Sequence, residues 1–225
     1  MSSVLSPEVA SFVDAVGGED HPVVVSMEEH ASETDFPILG RAAGRVCRLL
    51  AGLAGADRVF EFGSGFGYSA YWFAQGIGAD GEVVCTDLDA DRIERGRSFM
   101  AAAGIEDRVT FEHGDALAVF EETAGPVDIV LVDHEKESYR EALEAVRPRL
   151  SPGGLVVADN AMTAGIVDFP PLADRMHGGD PELDPPTAGV AAYLEAVSAD
   201  PAFETVVVPV GEGLAVSRRR ADTKG

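Results

Sequence analysis

Two carboxylates and an amide, Asp133, Asp159 and Asn160, form a hard oxygen set of the kind that holds a cation such as Mg2+. Each acid directly follows a short apolar run, in Val132-Asp133-His134-Glu135-Lys136 and in Ala158-Asp159-Asn160. Such runs read as strands, and in an open parallel sheet chemistry collects outside the carboxyl ends of the strands. The set is therefore expected to meet in one crevice although 26 residues separate the two aspartates. Lys136 lies on the same segment and is one of two lysines in the chain, the other being Lys224. Taken singly, Asp133 or Asp159 reads as a solvated strand-end acid and Asp-Asn as turn chemistry. Their joint placement after adjacent strands points to a metal.

A second group lies upstream. Gly63-Ser64-Gly65-Phe66-Gly67 sits where an apolar run turns into a helix, so its glycines let a ligand approach the backbone. The spacing is not G-x-G-x-x-G, and alone the loop is weak evidence, with a plain tight turn as the alternative. Asp87, 24 residues past Gly63 at the end of the next run, is placed to accept hydrogen bonds from ribose hydroxyls. Together they indicate a nucleoside-containing ligand. Glu61 adds a carboxylate that is unfavourable beside a pyrophosphate and favourable beside a sulfonium and an ammonium, which tilts the choice from a dinucleotide to S-adenosylmethionine.

Positioning these groups requires a sheet. Helices are expected over about 5–16 and 38–54, the second with Ile38, Leu39, Ala42, Val46, Leu49, Leu50 and Leu53 near helical spacing. Strands are expected at 58–62, 82–87, 109–112, 128–132 and 155–158, with helices at about 68–75, 89–103, 115–123 and 138–149 between them. That alternation predicts a doubly wound, mostly parallel α/β sheet. Asp89 and Gly104 bracket one helix as N-cap and C-terminal stop. The stretch 161–187, with Pro170, Pro171, Pro181, Pro185 and Pro186, is expected to be an irregular lid over the crevice. A helix at 190–198 and strands at 203–209 and 213–217, joined by a Gly-Glu-Gly turn, complete seven strands with an antiparallel hairpin.

The 225 residues contain no linker or composition break, so one domain, 1–225, is expected, with amino-terminal helices in 1–56. Two cysteines, Cys47 and Cys85, read as core side chains rather than a disulfide framework. With neither a signal-like amino terminus nor an apolar run near 18 residues, a soluble cytoplasmic protein with no membrane partner is expected. Charge is unusual: 17 basic against 39 acidic residues give −22. That surface repels nucleic acid and anionic lipid. Acid-rich and lysine-poor, it also suggests a halophilic origin, since at about 1 M salt the Debye length shrinks to about 3 Å. A homodimer is open, because the amino-terminal helices could either cover the site or build an interface.

The segments Glu61-Phe62-Gly63-Ser64-Gly65-Phe66-Gly67-Tyr68-Ser69, Val132 to Lys136 and Asp159-Asn160 resemble the signature segments of the cation-dependent O-methyltransferases, the group of catechol and caffeoyl-CoA O-methyltransferases. Pro209-Val210-Gly211-Glu212-Gly213-Leu214 extends the resemblance to the carboxyl terminus. It implies a Rossmann-like fold and S-adenosylmethionine held by Leu39, Glu61, Gly63, Ser64, Ser69, Asp87, Asp115, Ala116, Asp133 and His134. Asp87 would bind the ribose, Ser69 the methionine carboxylate, and His134 would lie against the adenine. It further implies a divalent ion on Asp133, Asp159 and Asn160, Lys136 as the general base, and a small hydroxylated aromatic as acceptor. Glu135 departs from catechol O-methyltransferases, which carry an aromatic there.

His113 reads as structural, Tyr68, Trp72 and Phe73 as packing, and Arg218 to Arg220 as a solvated tail. Two other readings remain at this level. A tRNA hydroxyuridine methyltransferase could use the same fold, donor and metal, against which the acidity argues. An NAD-type oxidoreductase would leave Asp133, Asp159, Asn160 and Lys136 without a role.

Overall fold

The computed structural model describes residues 4–19, 21–163 and 165–221. Seven strands, β1 (Arg58–Phe62), β2 (Glu82–Asp87), β3 (Val109–His113), β4 (Val127–Val132), β5 (Leu150–Ala158), β6 (Phe203–Val208) and β7 (Leu214–Arg219), form one sheet. Their order is β3-β2-β1-β4-β5-β7-β6, parallel from β3 to β5, with β7 antiparallel to both β5 and β6. This is the doubly wound sheet with a carboxyl-terminal hairpin that the alternation predicts. The strand order reverses between β1 and β4, where such sheets place their ligands.

Side-chain alternation buries both faces. Val59, Val83, Ile129, Leu131 and Val157 pack on one side, and Phe60, Phe62, Val130, Val132 and Val156 on the other. The first face is covered by α2 (Pro22–Thr34), α3 (Arg41–Ala54), α4 (Tyr68–Ala74) and α5 (Ala90–Ala103). The second is covered by α6 (Ala116–Glu122), α7 (Tyr139–Val146) and α9 (Pro185–Ala199), with α8 (Phe169–Met176) packed on α9. α1 (Pro7–Gly17) buries no residue and rests on α3. No helix among the described residues is long and apolar enough to cross a membrane.

Several elements differ from expectation, among them β5, which begins at Leu150 rather than at 155. α2 has no counterpart in the pattern: Ser26, Glu28, Glu29 and Ser32 dilute its apolar content, and Pro22 reads as a break. Yet Pro22 occupies the first helical turn and His21 caps it, its Nδ1 accepting from Val23 N at 3.2 Å. In α3 the buried face is Ala43, Gly44, Cys47 and Ala51, while Leu49 and Leu53 are exposed. Small residues win there because the helix comes close to α4; a Cβ on Gly44 would stand 2.3 Å from Trp72 Nε1. The 161–187 stretch, expected to be irregular throughout, contains α8 and the first turn of α9 among its non-helical segments. Pro170 and Pro185 sit in the opening turns of α8 and α9, and Asp184 caps α9 by accepting from Thr187 N at 2.8 Å.

Candidate active site

The register of the sheet puts the chemistry in one row. Phe62 pairs with Val132 and Val132 with Ala158, so Gly63, Asp133 and Asp159 are each the next residue past a paired strand end. Asp133 N donates to Phe62 O at 2.9 Å and Asp159 N to Val132 O at 3.1 Å, extending the ladder by one step. Above this row opens a crevice of about 300 Å3. Its lining includes Leu39, Gly63, Ser64, Ser69, Asp87, Asp115, Ala116, Asp133, His134, Lys136, Asp159 and Asn160, so twelve of the thirteen residues singled out in the sequence meet there.

The glycine loop is shaped by close approach. Gly63, Gly65 and Gly67 all have positive φ, and a Cβ on Gly63 would stand 2.5 Å from Asp133 O. Asp87 ties this loop to β2, accepting from Gly65 N at 3.0 Å and Asp89 N at 2.8 Å, with Arg92 Nη1 3.5 Å away. Asp115 caps α6 through Ala118 N at 2.9 Å. Phe36, Pro37 and Ile38, between α2 and α3, close the mouth, with Arg92 stacked over the Phe36 ring at 4.8 Å.

Glu61 is the exception among the thirteen. It does not line the crevice but lies fully buried beneath it on β1. Burial pushes its carboxyl up to about 8, softened by Ser69 and Cys85. Its Oε2 accepts from Cys85 Sγ at 3.6 Å, and its Oε1 has no partner in hydrogen-bonding geometry.

The acid end is denser. Lys136, buried at its amine, donates to Asp133 Oδ1 and His134 O at 3.1 Å each and lies 2.8 Å from Tyr139 Oη. It is the sole lysine among the described residues, Lys224 lying outside them. Asp159 is 5% exposed, and its Oδ1 is buried without a partner. Burial pushes its carboxyl well above the usual range, and the neighbouring Asp133 adds to this. Asp133 is also raised by burial, with Lys136 opposing. Asn160 follows in the left-handed region at φ 57, a conformation asparagine tolerates, and donates from Nδ2 to Glu212 Oε2 at 2.7 Å. Among the described residues no three His, Cys, Asp or Glu side chains cluster as a metal site. The set here is two carboxylates and an amide, all oxygen donors, with one oxygen left orphaned.

His134 sits between the loop and α7, stacked on Tyr139 at 5.6 Å and 21°, with both ring nitrogens buried and unpartnered. Burial lowers it to about 4, so it is neutral at ordinary pH. The sequence offered no reason to single out Phe36, Arg92, Tyr139, Ile166 or Glu212 as site residues. Of the described residues in 165–187, only Ile166 lines the crevice.

A family model described as O-methyltransferase matches residues 16–220. A catechol O-methyltransferase from Mycobacterium tuberculosis is 31% identical over 162 residues, covering 71% of this chain and 74% of its own. A caffeoyl-CoA O-methyltransferase from Medicago sativa is 26% identical over 216 residues, covering 89% and 83%. Among solved structures, a methyltransferase from Geobacter sulfurreducens superposes with a TM-score of 0.79 at 28% identity over 97% of this chain and 99% of that one.

Proposed function

The chain belongs to the O-methyltransferase family and is an S-adenosylmethionine-dependent O-methyltransferase of the catechol and caffeoyl-CoA type; from that premise we propose that it methylates a hydroxyl of a small catechol with a divalent cation bound at Asp133, Asp159 and Asn160. The observation that carries the cation is Asp159: a buried carboxylate oxygen without a partner, beside a second acid, is costly unless a positive group completes it. The residues fit, since their donor set is oxygen throughout. When bound, a divalent ion favours the deprotonated catechol and fixes its oxygens.

The chain's own residues supply the rest. Asp87 receives the ribose, and the Gly63 to Gly67 loop admits the donor's backbone-facing edge. Neutral His134, its ring stacked on Tyr139, gives an adenine an uncharged aromatic wall. Glu61 lies beneath the loop, where the positive charge of a bound sulfonium donor would favour its ionised form over the protonated form that burial imposes. Lys136, oriented by Asp133, His134 O and Tyr139, takes the proton of the reacting hydroxyl when its amine is in the neutral form. Displacement at carbon is in-line, so holding oxygen and methyl at about 3 to 3.5 Å is a large share of the work.

A small acceptor is favoured over a phosphate-rich ester. Among the described residues lining the crevice the only cations are Arg92 and Lys136, and both already face acids. The test is Asp159→Ala, assayed for methyl transfer to a catechol panel and, by calorimetry, for S-adenosylhomocysteine binding. Loss of metal-stimulated transfer with donor-site affinity within a few-fold supports the reading; full transfer by the variant removes it.

A further inference from the structure

Asn160 has two chemically different ends, and only its oxygen can serve a cation. Which end faces the crevice is decided by what holds the other. Glu212 Oε2 stands 2.7 Å from Asn160 Nδ2, and a carboxylate only accepts, so the amide nitrogen is committed to Glu212 and the oxygen is turned away from it. Glu212 is itself delivered with little freedom. It lies between Gly211 at φ 58 and Gly213 at φ 95, in the turn entering β7. Its carbonyl accepts from Met162 N at 3.2 Å and Thr163 N at 3.0 Å, while Gly213 O accepts from Ala161 N at 2.9 Å. The turn therefore grips the three residues after Asn160 by backbone and Asn160 itself by side chain. A Cβ at Gly213 would stand 2.6 Å from Met162 Cγ, so the grip depends on that glycine.

We propose that Glu212 is a positioning residue that fixes the Asn160 amide with its oxygen presented to the cation shared with Asp133 and Asp159. This rests on the metal reading above and adds a residue from the hairpin to it. Outer partners that orient a metal ligand contribute about 10- to 100-fold in metal affinity.

Mn2+ is the probe. Its free-ion electron paramagnetic resonance signal gives a dissociation constant for the full chain without requiring turnover, with S-adenosylhomocysteine calorimetry and melting temperature as controls. Glu212→Ala removes the acceptor and is expected to weaken Mn2+ about 10-fold or more. Glu212→Gln keeps an acceptor oxygen and loses the charge, and is expected to retain affinity within about 3-fold of wild type. An equal loss in both variants would assign Glu212 to long-range charge and overturn the positioning role. Unchanged Mn2+ affinity in Glu212→Ala would overturn it while leaving the metal site standing. A wild type that binds no Mn2+ would remove both. If Glu212→Ala melts early and loses S-adenosylhomocysteine as well, affinity in Glu212→Gln decides: retention upholds the amide contact and loss rejects it.

Discussion

Glu61 is a carboxyl with no exposure in the middle of the sheet, and the cost of that placement is measurable. Its folded-state value is pushed from 4.5 to about 8 by burial. Below about 4.5 it is protonated whether the chain is folded or not, and its contribution to stability is complete. Between there and about 8 the unfolded chain releases the proton while the folded chain keeps it, so stability falls as pH rises through that window. At about 1.4 kcal/mol per unit, the interval from pH 5 to pH 8 corresponds to roughly 4 kcal/mol. Glu61→Gln is neutral at every pH and lacks this slope. The assay is urea unfolding of both proteins at pH 5, 6, 7 and 8 in constant high salt. The slopes from Asp133, Asp159 and His134 are common to both and cancel in the comparison. Wild type is expected to lose roughly 3 to 4 kcal/mol more than Glu61→Gln across the range. Parallel profiles would refute the burial argument.

Lys136→Ala is expected to lower kcat by about 100-fold or more with a smaller change in KM, since a positioned base contributes about 10²- to 10⁴-fold; steady-state kinetics on a catechol checks this. Gly63→Ala forces a Cβ against Asp133 O in a positive-φ residue, and is expected to cost at least about 2 kcal/mol and to weaken S-adenosylhomocysteine binding, read by unfolding and calorimetry. With −22 net charge, folding and activity are expected to rise from 0.1 M to 2 M KCl; equal melting temperatures at both would remove the halophilic reading.

The strand ends were legible because they combine two strong signals, an apolar run and an abrupt change to glycine or acid. That placed β1 and β2 at their observed bounds and brought Gly63, Asp87, Asp133 and Asp159 into one crevice. Asp89 and Gly104 marked α5 for the same reason, being cap residues with side-chain or left-handed roles. What stayed hidden depends on tertiary contact. α2 is held by a few residues, Val23, Val24, Met27 and Ala31, and by Tyr68 Oη donating to Glu28 at 2.9 Å, none visible as periodicity. Prolines at 170 and 185 signal loop and helix start equally, and only the buried partners of α8 and α9 decide. Glu212 looked like the polar centre of a turn; its bond to Asn160 crosses 52 residues. Glu61, singled out as a donor contact, is fully buried on β1 and does not line the crevice.

Dependence of transfer on a metal is measured by methyl transfer from labelled S-adenosylmethionine to a catechol, in high salt with Mg2+ and then with EDTA. Transfer is expected to be abolished by EDTA and restored by Mg2+, with S-adenosylhomocysteine bound in both conditions. Transfer at an undiminished rate in EDTA would contradict that dependence.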